Sequence, residues 1–117
     1  MGITYVDGTV VGPSGQQEDV RFLVDSGTSY TLLREKTWKK LGLKPNRSYD
    51  FSLADGTIVQ RDISECRIEL AEGSGHTPVV LGEPGDDQPL LGVVTLEELG
   101  LVFDPFKREL RAMTLRL

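Results

Sequence analysis

In Phe22-Leu23-Val24-Asp25-Ser26-Gly27-Thr28-Ser29-Tyr30-Thr31-Leu32-Leu33 an apolar run carries Asp25 into a turn of small hydroxylated residues and glycine, and a second apolar run closes the segment. This pattern suits a carboxylate kept ionisable within a folded chain. Aspartate is rarely buried without partners, and Ser26, Thr28 and Ser29 are short donors placed directly after it. Gly27 gives the turn backbone freedom and lets another segment approach closely. The plainer use of Asp, Ser and Gly is an Asx-type turn ending a strand, so the surrounding elements must decide between the two. Other candidates for chemistry are weaker. His76 lies in Glu72-Gly73-Ser74-Gly75-His76, which reads as a loop that would leave a general base without fixed geometry. Cys66 reads as a buried strand residue. The acidic turn Glu83 to Gln88 is a weak metal candidate whose charges look solvated.

The flanking pattern supplies elements able to hold Asp25 in place. Ile3 to Val11 reads as a strand and Gly12-Pro13-Ser14-Gly15 as a turn. Val20, Phe22 and Val24 then alternate with Arg21, Leu23 and Asp25, so Asp25 ends the second strand of a hairpin. Thr31 to Leu33 is a further short strand. Arg34 to Leu41 reads as a helix that packs Trp38 inward, with Gly42 where a C-terminal cap belongs. Phe51 and Leu53 precede Ala54-Asp55-Gly56, and Thr57 to Val59 lead away, a strong hairpin signal. Ile63 is out of phase with Cys66, Ile68 and Leu70, which suggests a bulge near Ser64. Thr77 to Leu81 is a strand, Leu90-Leu91-Gly92 follows, and Thr95-Leu96-Glu97-Glu98 matches a capping box opening a short helix that Gly100 ends. Met113, Leu115 and Leu117 alternate with Thr114 and Arg116, giving a terminal strand whose only evident partner is the N-terminal segment. The expectation is one domain over residues 1–117, all-β, with seven or so strands and two short helices.

Composition narrows the function. The chain has 117 residues and a formal net charge of -5, which disfavours nucleic acid as a partner because phosphate binding needs a basic face. No apolar run is long enough for a membrane span, and no signal peptide is evident. The one cysteine excludes an intrachain disulfide and fits a reducing, cytoplasmic setting. With one cysteine and one histidine, the usual zinc ligand sets cannot be assembled, and neither metal nor cofactor is expected.

Taken in order, these motifs resemble a known family. Phe22 to Ser29 is similar to the active-site segment of aspartic proteases, in which two apolar residues precede Asp, Thr or Ser, Gly and a small residue. Leu90-Leu91-Gly92 with its short helix resembles the later apolar-apolar-Gly strand that passes beside the aspartate loop. The hairpin at Asp55-Gly56 falls where that family has its flap. The order and spacing resemble the retroviral-type branch, the retropepsins, and in particular its free-standing bacterial members, over essentially the whole chain. The resemblance implies a closed β-barrel, half of a pepsin-like bilobal fold, acting as a homodimeric endopeptidase on extended polypeptide. It implies Asp25 as the catalytic residue, with Ser26, Gly27, Thr28 and Gly92 supporting the site. Leu53, Ala54, Asp55 and Gly56 become flap contacts to substrate. By the same resemblance, the Ser26 hydroxyl would reach across the twofold axis to the partner's loop, and the chain termini would interleave with those of the partner.

Peptide hydrolysis of this kind takes two carboxylates, and like charges that close cannot both ionise. The chain has one Asp in such a context, so the second must be Asp25 of another copy. Thr28 stands where many retropepsins have alanine. Its hydroxyl can donate to the Asp25 carboxylate, which predicts a more acidic optimum than in alanine-bearing relatives. Retropepsins often carry acidic residues after the active-site turn that bind substrate backbone; here Ser29 and Tyr30 occupy those positions, so those contacts do not transfer. Two other readings stay open from the residues alone: a peptide-binding or assembly module that keeps the barrel without cutting, and an unrelated small β-barrel whose Asp25 only caps a turn.

Overall fold

Alternating apolar residues pair into strands around an interior built on Val10, Phe22, Leu33, Ile68, Val79 and Leu91. A computed structural model describes residues 3–117. Strands β1 (Tyr5–Val11) and β2 (Gln17–Val24) form the first antiparallel hairpin, with Val6 opposite Phe22 and Val10 opposite Glu18. Its turn is closed by Gly15 N–H donating to Gly12 C=O at 3.0 Å, with Gly15 at φ +86°. Gly12 has no room for a side chain, because a Cβ there would lie 2.2 Å from the carbonyl oxygen of Leu41.

Next come β3 (Thr31–Leu33), helix α1 (Glu35–Lys40), β4 (Arg47–Ser52), β5 (Ile58–Leu70) and β6 (Gly73–Leu81). The chain then forms β7 (Leu90–Leu91), α2 (Val93–Glu98), β8 (Leu101–Asp104) and β9 (Glu109–Ala112). Seven strands form one sheet in the order β1-β2-β7-β3-β6-β5-β4, and a further β1–β5 pairing brings six of them into a circuit. The other two, β8 and β9, pair only with each other. The expected all-β class with two short helices is what forms.

Within that circuit, β7 runs parallel to β2, with Leu23 opposite Leu90 and Val24 opposite Leu91, and it also pairs with β3 through Leu32 and Leu90. β7 therefore lies between the two strands that flank the Asp25 turn, and the turn must pass over its end. Helix α1 stops where Gly42 takes φ +71°, as its sequence implies, and Trp38 packs on the core while its indole N–H donates to Gly82 C=O at 2.8 Å.

Several local expectations give way to tertiary structure. Gly73 to His76 is not a loop: these residues open β6, paired with Leu70 to Arg67 across a turn at Ala71-Glu72. The glycines admit a neighbour instead, since a Cβ on Gly73 would sit 3.3 Å from Leu99 C=O and one on Gly75 3.7 Å from a Leu99 methyl. The β5–β6 register runs unbroken from Asp62 to Leu70, so there is no bulge at Ser64. Ile63 is out of phase because β5 is buried on both faces there: Ile63 is fully buried opposite Val80, while Ser64 faces the other way and bonds Lys44 C=O at 2.7 Å. Helix α2 starts from Gly92, not Thr95, and Thr95 is a fully buried interior residue. The tail forms no strand beyond Ala112, and β9 pairs with β8 rather than with the N-terminal segment.

Candidate active site

Asp25 is half-buried just past the end of β2. Its own turn holds both carboxylate oxygens: Gly27 N–H donates to Oδ1 at 2.9 Å and the Thr28 hydroxyl to Oδ2 at 3.0 Å. The Thr28 N–H donates to Asp25 C=O at 3.1 Å, closing the turn. Donors to a carboxylate are charge-assisted and roughly twice as strong as neutral bonds. The Thr28 hydroxyl is thus placed as its position in the sequence suggests. Ser26 is exposed on the outer side of the same turn, free of any side-chain bond within the subunit among the described residues.

Gly92 lies directly beneath. A Cβ there would come 2.5 Å from the Tyr30 carbonyl carbon and 2.6 Å from Ser29 O, so only glycine lets β7 run this close. The first backbone donors of α2 are spent on the loop: Val93 N–H binds Thr28 C=O at 3.0 Å and Val94 N–H binds Ser29 C=O at 2.9 Å. Those orphan N–H groups of a helix start need partners, and the loop carbonyls serve. With its carbonyls facing α2, the turn directs Gly27 N–H and the Thr28 hydroxyl toward Asp25.

Sequence reasoning missed what lies under this arrangement. Gly92 N–H donates to the Thr31 hydroxyl at 3.0 Å, Thr31 and Thr95 hydroxyls meet at 2.6 Å, and Thr95 meets Thr77 at 2.9 Å. All three threonines are buried. They come from β3, α2 and β6, so no local pattern announces them; the one available signal was three threonines beside otherwise apolar strand and helix positions.

The β4–β5 hairpin turns at Leu53 to Gly56. Leu53 N–H binds Thr57 C=O at 2.8 Å, Gly56 N–H binds Leu53 C=O at 2.9 Å, and Gly56 takes φ +86°. Asp55 accepts from Thr57 N–H at 2.9 Å. Of the four proposed substrate contacts, Leu53 lines a cleft of about 350 Å³ together with Gly27 and Thr28, whereas Ala54, Asp55 and Gly56 form the exposed tip outside it. The cleft also takes in Tyr30, Leu32, Phe51, Val80 and Leu90, none of them foreseen as site residues.

Two clasps fix the hairpin stem across this cleft. On β4, Tyr49 stacks on Tyr30 with ring centroids 6.0 Å apart and Phe51 meets Tyr30 edge-on at 6.1 Å. On β5, Arg61 grips Asp86 through Nε to Oδ2 at 2.8 Å and Nη2 to Oδ1 at 3.3 Å, and reaches Glu83 at 3.4 Å. The acidic turn is thus not simply solvated. Desolvation opposes the charge on Asp86, but the Arg61 and Glu83 N–H bonds and the Arg61 charge outweigh it and hold the carboxyl below its usual range.

His76 sits on β6 opposite Arg67, away from the cleft lining. Burial pushes the Cys66 thiol up to about 12, the state of an inert core cysteine. Among the described residues no three His, Cys, Asp or Glu side chains gather in a way that could hold a metal ion, and no helix is long and apolar enough to cross a membrane.

With this geometry in hand, comparisons with known proteins are specific. A family model described as aspartyl protease matches residues 6–95. Among solved structures, the fold is similar to that of a retropepsin-like aspartic protease from Rickettsia conorii, with TM-score 0.60 at 22% identity, covering 88% of this chain and 77% of that one. No curated protein matches the chain in sequence.

Proposed function

The chain belongs to the aspartyl protease family, with a retropepsin-like fold, and from that premise we propose that it is a homodimeric endopeptidase whose two Asp25 carboxylates, one from each subunit, activate a single water. One carboxylate takes a proton from the water as its oxygen attacks the scissile carbonyl. The other, protonated, supplies the proton that the departing amine needs when the C–N bond breaks. The pair therefore ends with one proton, as it began. No metal or cofactor is required, because water is the nucleophile and the dyad moves both protons.

The observation that carries this reading is the Asp25 turn: a half-buried carboxylate with both oxygens held by rigid donors, beside a cleft roofed by a hairpin. A single subunit supplies one such group. Asp86 is committed to Arg61, and Asp50 belongs to the hairpin arm. Extended substrate would lie between Asp25 and the hairpin tip, where Ala54, Asp55 and Gly56 are exposed to meet it. By the family resemblance, the hydroxyl of the exposed Ser26 would reach the partner's loop.

The test is cleavage of unstructured peptides from pH 4 to 7. Wild-type protein should cut and Asp25→Asn should lose at least about a hundredfold in rate, the typical contribution of a positioned acid or base. Thr28→Ala, which removes the donor to Oδ2, should lower the rate by less than Asp25→Asn does, so that cleavage persists. Peptide binding without cleavage by both the wild-type protein and the Asp25→Asn variant would overturn the proposal.

A further inference from the structure

Strand β2 is paired along one edge and mostly bare along the other. β1 covers Gln17 to Leu23, whereas β7 covers only Leu23 and Val24. Leu23 N–H donates to Pro89 C=O, just before β7, and Val24 N–H donates to Thr4 C=O on the β1 side, each at 2.9 Å. The backbone groups of successive strand residues face opposite edges, so the N–H and C=O of Asp19 and Arg21 point away from β1. The next rung of the β2–β7 ladder would need an N–H at residue 89, and Pro89 has none. Among the described residues, no strand pairing or loop bond takes up these groups.

Beside the bare edge lies a groove of about 260 Å³, walled by Glu18 to Arg21 on β2 and by Arg34, Thr37 and Pro89 across from them. It shares no lining residue with the cleft at the Asp25 turn. The far wall belongs to a basic stretch: five of the chain's 13 lysines and arginines fall within residues 34–44, where Glu35 is the one acid. Lys39 is paired with Glu35 at 3.6 Å and Lys40 with Glu18 at 3.8 Å. Arg34, Lys36 and Lys44 are exposed and make no ion pair among the described residues. Of the acids on the near wall, Lys40 offsets Glu18, and Asp19 accepts the Thr9 hydroxyl of β1 at 3.1 Å.

We propose that this groove binds an acidic, extended segment of a partner polypeptide, added to β2 as a strand, with Arg34 as the residue that selects for its carboxylates. An exposed edge is a template for a further strand, and main-chain bonds to Asp19 and Arg21 supply the affinity. Charge supplies the selectivity: the basic stretch draws a carboxylate-bearing chain to this one face of a protein whose net charge of -5 repels it elsewhere. The groove is independent of the chemistry assigned to Asp25.

An alternating Thr-Glu decapeptide and its Thr-Gln and Thr-Lys counterparts are titrated into isotope-labelled Asp25→Asn protein, chosen to exclude turnover. The Thr-Glu peptide should shift the Asp19 and Arg21 amide signals and slow their hydrogen exchange. At low salt it should bind at least about tenfold more tightly than the Thr-Gln peptide, an advantage that shrinks as salt is added. The Thr-Lys peptide should bind weakest. Arg34→Gln, an exposed change that leaves the backbone bonds of α1 in place, should remove most of the preference for Glu over Gln. Lys107→Gln, an equal loss of charge outside the groove lining, should keep it. Equal affinities for the three peptides, an unchanged preference in Arg34→Gln, or shifts confined to Gly27, Thr28 and the hairpin tip overturn the proposal. Shifts of the Asp19 and Arg21 amides that grow with protein concentration in the absence of peptide would assign the edge to a second copy and overturn it as well.

Discussion

The three buried threonine hydroxyls can be ordered by counting protons. Thr77 Oγ1 donates to Pro78 C=O at 3.2 Å, which uses its one proton, so Thr95 must donate to Thr77 and Thr31 to Thr95. Thr31 then keeps a lone pair free to accept Gly92 N–H. Every member is satisfied in this order, and no buried side-chain polar atom lacks a partner among the described residues. Thr95→Val preserves shape and removes the middle of the chain, leaving Thr31 without an acceptor and Thr77 without a donor. With an unmet buried group costing about 1–3 kcal/mol, we expect Thr95→Val to lose roughly 2–4 kcal/mol in urea unfolding and Thr95→Ser to recover most of it. A Thr95→Val loss below about 0.5 kcal/mol, within the usual range of an inconsequential surface change, would mean the hydroxyls are not coupled.

At the scale of elements, the question is what keeps the β4–β5 stem over the cleft while its tip stays open. β4 is an end strand of the sheet order and pairs only with β5 among the described residues, so beyond the β5–β6 ladder that begins at Asp62 the Tyr30 aromatic contacts and the Arg61–Asp86 pair tie the stem to the rest of the sheet. Both members of the ion pair are less than a quarter exposed, at 18% and 24%, where solvent screening is weak. Since the folded Asp86 carboxyl titrates below its ordinary value, its stabilisation is complete above the ordinary carboxylate range and disappears as pH falls through the lowered folded value. Asp86→Asn should therefore cost about 1–3 kcal/mol at neutral pH, and the gap from wild type should close on acidification; denaturant midpoints at pH 7, 5 and 3 read it directly. A gap that stays constant would assign the effect to packing. This tie also marks the limit of what a sequence makes legible. The Asp25 turn, the Asp55-Gly56 hairpin and the Gly42 and Gly100 helix ends rest on φ angles and bonds within a few residues, and all could be read from neighbouring letters. Arg61 and Asp86 are 25 positions apart, Thr31 and Thr95 are 64 apart, and Gly73 to His76 form a strand by pairing with Arg67 to Leu70, with Leu99 lying against their glycines. Local propensity favours a loop at Gly-Ser-Gly and a cap at Thr95; tertiary contact decided otherwise.

For the molecule as a whole, the subunit leaves Ile3 at 69% and Leu115 at 70% exposed, with Leu117 fully open, while residues 113–117 form no strand. Exposed apolar termini of this kind are a liability for a monomer and a resource for a dimer. If the active unit needs Asp25 from both copies, mass action sets two expectations. Initial rate should rise with the square of protein concentration below the dimer dissociation constant and linearly above it, and deleting residues 113–117 should move the crossover to higher concentration. Mixing tests the shared site more sharply. When wild-type and Asp25→Asn subunits are combined in equal amounts and allowed to exchange, random pairing leaves about a quarter of the dimers with two intact aspartates, so activity per wild-type subunit should fall to about half. A self-sufficient subunit predicts no fall at all. Sedimentation at the same concentrations separates loss of pairing from loss of chemistry: an inactive mixed dimer that sediments as a dimer places the deficit at the missing carboxylate, whereas full activity in a monomeric fraction would refute the two-subunit site.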